Sequence, residues 1–126
     1  MGCQSGAEVM RLQGISFTDA LPIDSYGPGF FRIDGNVIEG PVLLGPDGLT
    51  KWGGFEDTAP VIELAQGVDV IFVGTGADTA HLPKEFRKLL EDAGLGVEAM
   101  ASPAACRTYN ILLSEGRRIA AALLPV

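Results

Sequence analysis

The stretch AMASPAACRTYNILLSEGRRIAAALLP, residues 99–125, decides how this chain is read. Ser102 followed by Pro103 is a helix-opening pair, with the serine as cap and the proline in the first turn. Gly116 is a stop signal, and the apolar run 119–124 that follows it is a strand. The spacing therefore predicts a helix over 103–115 feeding directly into a buried strand. Upstream, the same alternation recurs. Residues 97–100 read as a short strand. Before it, Phe86, Leu89, Leu90 and Ala93 fall at i, i+3, i+4 and i+7, with Lys84, Glu85, Arg87, Lys88, Glu91 and Asp92 on the other side. That is an amphipathic helix between Pro83 and Gly94. Residues 69–74, DVIFVG, form a continuous apolar run, as in a strand covered on both faces. Thr58 and Pro60 start a further helix that Gly67 stops. Helices and strands in alternation predict right-handed βαβ crossovers, with helices on the faces of a sheet.

Upstream of Gly53-Gly54 the pattern changes. Asp34-Gly35 and Asp47-Gly48 are hairpin turn pairs separating residues 30–33, 37–44 and 49–52, which predicts an antiparallel meander. Gly40 and Pro41 suggest an edge position or a bulge within it. Residues 21–29 are punctuated by proline and glycine and read as a loop. Residues 1–14 lack periodicity and read as a flexible tail before a first short strand at 15–17. The fold class is α/β: a three-layer sandwich with a mixed, mostly parallel central sheet flanked by helices, plus a small N-terminal antiparallel sheet. All 126 residues are expected in a single domain.

Composition excludes several functions. A net charge of −7 with nine scattered Lys and Arg residues argues against nucleic acid and against an anionic membrane surface. Cys3 and Cys106 lie far apart in sequence, so no framework disulfide is expected and a reducing cytoplasm fits. No run approaches the roughly 18 apolar residues of a membrane helix, and no cleavable leader or organelle presequence is evident. Gly6 stands where a myristoylation pattern needs Ser or Thr. With one His and no spaced carboxylate cluster, neither a metal site nor a cofactor is expected.

Several residues remain as candidates. Gly74, Thr75 and Gly76 follow a buried strand and precede a helix, where α/β proteins place ligands. The third glycine of a dinucleotide fingerprint is absent and Asp78 would repel phosphate, so these residues either make a tight turn or line a pocket. Arg107, Asn110 and Ser114 share one face of the final helix. Arg107 is placed to clamp a carboxylate or phosphate with Tyr109 as a wall, or else to pair with Asp78 or Glu98 while Tyr109 packs in the core. Cys106 is either a lowered-pKa thiol beside Arg107 or a small buried hydrophobe. His81 reads as a loop or cap residue. Trp52 and Phe55 are an exposed partner patch or a hydrophobic plug.

The motifs FVGTG at 72–76, Leu82-Pro83, GVEAM at 96–100, ACRTYN at 105–110, and EGRR at 115–118 with AAAL at 120–123 resemble a known family. It is the one that holds the mitochondrial respiratory complex I assembly factor three and the adipogenesis-associated Mth-type domain proteins. PIDSYG at 22–27 and FRI at 31–33 resemble the N-terminal part of its bacterial members. The resemblance spans nearly the whole chain from Ile15 onward. It implies an α/β sandwich with a mixed central sheet and a small antiparallel sheet. It also implies a bacterial, cytoplasmic, non-enzymatic assembly factor whose protein partners are respiratory complex assembly intermediates, without catalytic residues to transfer. A small-anion or nucleotide-related ligand protein using Gly74–Gly76 with Arg107 and Tyr109 is the competing reading. A homodimer through an edge of the antiparallel layer stays open.

Overall fold

A computed structural model describes residues 21–126. The expected tail and the strand at 15–17 lie outside the described residues. The chain runs β1 (Ile23–Gly27), β2 (Phe30–Ile33), β3 (Asn36–Glu39), β4 (Val42–Gly45), β5 (Gly48–Lys51), α1 (Ala59–Leu64), β6 (Val70–Thr75), α2 (Lys84–Asp92), β7 (Gly96–Met100), α3 (Ser102–Ser114) and β8 (Ile119–Leu124). Two sheets result, one of three strands in the order β1-β2-β3 and one of five in the order β5-β4-β8-β6-β7. The small sheet is antiparallel throughout. In the large one β5, β4 and β8 pair antiparallel, while β6 pairs parallel with both β8 and β7.

Residues 21–29 are not a loop as expected. Ile23–Gly27 is a strand, and Pro28-Gly29 forms the turn after it, which brings Tyr26 opposite Phe31. The punctuation marks the end of the strand rather than its absence. Asp34 and Gly35 sit at φ 53° and 78°, the left-handed pair of a type I′ hairpin, as expected. The second hairpin is shifted by one residue: Gly45 pairs with Gly48, so its loop is Pro46-Asp47 and not Asp47-Gly48. Gly40-Pro41 is neither an edge nor a bulge inside one strand, since it is where the chain leaves the small sheet for the large one. The first half therefore supplies two strands to the central sheet in addition to its own layer.

Strand alternation sorts the core into two. Leu43, Ile71, Val73, Ala120 and Ala122 face Val61 of α1 and Phe86 and Leu90 of α2. Their neighbours Val42, Leu44, Phe72, Ile119, Ala121 and Leu123 face Ala105, Cys106 and Tyr109 of α3 and Ile23, Phe31 and Ile33 of the small sheet. Three layers follow: α1 with α2, the five strands, and α3 beside the small sheet. The β6-α2-β7 and β7-α3-β8 crossovers step in opposite directions across the sheet. A shared hand then requires their helices to lie on opposite faces, as they do.

Candidate functional site

The carboxyl ends of β6 and β7 point toward one rim of the large sheet, and the chain leaves them for opposite faces, β6 toward α2 and β7 toward α3. Open α/β sheets form a crevice at such a divergence. The predicted glycine turn lies at its base, built into the structure rather than into a pocket. A Cβ on Gly74 would stand 2.6 Å from Ser102 Oγ and 2.9 Å from Ser102 Cα, so only glycine lets α3 begin this close to β6. Gly76 adopts φ 102°, its N–H donates to Ser102 Oγ at 2.9 Å, and its carbonyl accepts from Ser102 N–H at 2.7 Å. Ser102 Oγ donates in turn to the Leu124 carbonyl at 2.6 Å. Ser102 is thus not the expected helix cap. Ala101 holds that position, and the hydroxyl instead locks together the ends of β6 and β8 and the start of α3.

Thr75 organises the loop beyond. Its Oγ1 donates to the Asp78 carbonyl at 2.7 Å and accepts the Ala80 N–H at 3.0 Å. Thr79 Oγ1 accepts the Ala101 N–H at 3.2 Å. The loop so fixed borders a half-open cavity of about 560 Å³, lined by Thr79, Ala80, His81, Leu82, Lys84, Arg87 and Ala99. His81 was expected only as a loop or cap residue, and Lys84 and Arg87 only as a solvated helix face. Their signal in the sequence was position, immediately after a buried strand and at the start of the following helix.

The remaining candidates lie elsewhere. Tyr109 is fully buried at 0% exposure in the core under α3, so it is not a pocket wall. Among the described residues its hydroxyl has no hydrogen-bond partner, and burial pushes its pKa well above the ordinary value. Asn110 grips β1: its Oδ1 accepts the Ile23 N–H at 2.9 Å and its Nδ2 donates to the Ile23 carbonyl at 2.8 Å. Arg107 is exposed and borders a smaller cavity of about 260 Å³ with Asp24, Tyr26, Cys106 and Asn110. Neither cavity is lined by Gly74, Thr75 or Gly76. The structure therefore does not gather the glycine turn, Arg107 and Tyr109 at one pocket. Among the described residues Arg107 forms no ion pair with Asp78 or Glu98.

Cys106 is buried, and desolvation raises its thiol to about 11 against the opposing pull of Arg107 and a backbone hydrogen bond. It behaves as a packed small side chain. Trp52 is 4% exposed and packs against Phe55 and Phe86 at ring-centroid distances of 5.8 and 6.0 Å. Its indole N–H donates to the Asp57 carbonyl at 3.0 Å, so the pair is a plug and not an open patch. Among the described residues no helix is long and apolar enough to cross a membrane.

Comparison with known proteins gives the following likenesses. A sequence model of the family described as "Protein of unknown function (DUF498/DUF598)" matches residues 23–124. An uncharacterized protein of Rhodobacter capsulatus is 52% identical over 110 residues, 87% of this chain and 89% of that protein. NADH dehydrogenase (ubiquinone) 1 alpha subcomplex assembly factor 3 of Danio rerio is 36% identical over 82% of this chain, which spans 63% of that longer protein. A crystal structure described as an outer membrane protein from Bartonella henselae superposes with TM-score 0.79 at 35% identity, covering 87% of this chain and 98% of the other. The solution structure of a Mth938-like domain from Bordetella pertussis does so with TM-score 0.68 at 30% identity, covering 83% and 85%.

Proposed function

Because the chain belongs to the family described as DUF498/DUF598, which is the family its motifs resemble, we propose that it is a non-enzymatic interaction protein of complex assembly. It works in the cytoplasm, and its partner is an assembly intermediate of the respiratory NADH dehydrogenase. The observation that carries this reading is the 36% identity to a complex I assembly factor across 82% of the chain. What the polar candidates do supports it: Ser102 and Asn110 are held in structural hydrogen bonds, and Tyr109 lies in the core. Tyr26, Val37 and Ile111 are large apolar side chains that stay exposed, and all three belong to the layer of α3 and the small sheet. That layer is the partner surface in this reading.

Deletion of the gene in its source cells is the test. NADH:quinone oxidoreductase activity in membranes is expected to fall, with subcomplexes accumulating on native gels and full assembly returning when the wild-type gene is restored. A Val37→Asp/Ile111→Asp variant that folds normally is expected not to restore it. Fully assembled enzyme at undiminished activity in the deletion strain overturns the proposal.

A further inference from the structure

We infer that the cavity at the diverging ends of β6 and β7 is a binding site for a small anionic metabolite, held through a carboxylate or phosphate group by Lys84, Arg87 and His81. The chain carries a net charge of −7, yet this cavity takes two of its nine Lys and Arg residues together with its sole His. Among the described residues no carboxylate lines it. The acidic residues of the surrounding elements, Asp78 on the loop, Glu85, Glu91 and Asp92 on α2 and Glu98 on β7, all lie outside its lining. In a protein this acidic, a pocket lined by Lys84, Arg87 and His81 concentrates an anion that the rest of the surface repels.

Arg87 is the fork of the site. Its Nη1 lies 3.3 Å from Glu91 Oε2 in an exposed i,i+4 pair, which engages one of the five guanidinium N–H donors and leaves the others for a ligand. Lys84 is exposed and is not in an ion pair with another described residue, and His81 adds a ring donor from the loop. The loop is held in advance, because Thr75 fixes Asp78 and Ala80 and Thr79 fixes Ala101, so little ordering is required on binding. Ala80, Leu82 and Ala99 supply an apolar wall for the uncharged part of the ligand. The volume of about 560 Å³ suits a metabolite-sized molecule rather than a bare ion. Among the described residues no Phe, Tyr or Trp lines the cavity and the His81 imidazole is its one aromatic ring, so recognition rests on the anionic group.

Titration of the ¹⁵N-labelled protein at low ionic strength tests this, with inorganic phosphate, AMP and succinate as separate probes. Saturable amide shifts are expected at residues 79–87 and 99–101. They should weaken about tenfold or more in Lys84→Gln/Arg87→Gln, whose substituted side chains lie outside the buried core, and persist in Arg107→Gln. Response to phosphate and AMP identifies a phosphorylated ligand, and response to succinate alone a carboxylate. Absence of shifts with all three up to about 10 mM, or shifts that survive in the double variant, overturns the site.

Discussion

Cys106 lies beside Arg107 in the first turns of α3, and its thiol is nevertheless pushed up from the ordinary 9.0 to about 11, because desolvation outweighs the guanidinium and the backbone hydrogen bond. The folded protein thus holds this proton at pH values where the unfolded chain has released it. Stability is fully present below pH 9 and falls as pH rises toward 11, since the unfolded state then binds fewer protons. Tyr109, raised from its ordinary 10.0, acts in the same direction at higher pH. Urea titrations at pH 8, 9, 10 and 11 are expected to trace this decline, and Cys106→Ala should flatten its first part. Of the candidate residues read from the sequence, the helix face was legible but the partners were not, and His81, Lys84 and Arg87 at the cavity were not singled out as site residues. Helical spacing put Arg107 and Asn110 on one face correctly. Nothing local could reveal that Asn110 faces the Ile23 backbone 87 positions away.

At the scale of elements, α2 is where the pattern was most legible: Phe86 and Leu90 are buried as their spacing predicts, although Leu89 stays 46% exposed and Ala93, the C-cap, is exposed too. β1 was illegible because Pro28 and Gly29, which shape its turn, read as breakers of the whole segment. Ser102 misled for a related reason. A serine before Pro103 has the form of a cap, but Gly76 and Leu124, brought close by the sheet, offer its hydroxyl better partners. Attachment of β1 to α3 depends on the two bonds from Asn110 to Ile23. Asn110→Ala leaves a part-buried N–H and carbonyl without those partners and is expected to cost about 2 kcal/mol in urea unfolding. Asn110→Asp keeps only the acceptor and should fall between. An alanine variant as stable as wild type would mean that β1 is held by packing alone.

For the whole molecule, the α/β class and the placing of helices on both faces followed from the alternation in the second half. The distribution of β1–β5 between two sheets did not, because a meander signal specifies hairpins and not the layer they join. The large sheet also hangs on its final strand. β8 lies between β4 and β6, and without it the β4-β5 hairpin has no bonded neighbour in the β6-β7 pair. A chain stopping at Arg118 is therefore expected to lose its cooperative urea transition and to shift the emission of the buried Trp52 toward that of a solvated indole. A sharp transition with blue emission in that truncation would refute the dependence.

That same central position orders events during biosynthesis. A ribosome making this fold delivers β4, β5, β6 and β7 before the element that joins them, so the nascent polypeptide can gather local hairpins and crossovers but not the full sheet. Tertiary folding must wait until β8 has emerged, and it must then close contacts distant in sequence, which is slow. Until then the apolar edges of β4 and β6 stand open together, a window in which cellular chaperones would find this protein a natural client.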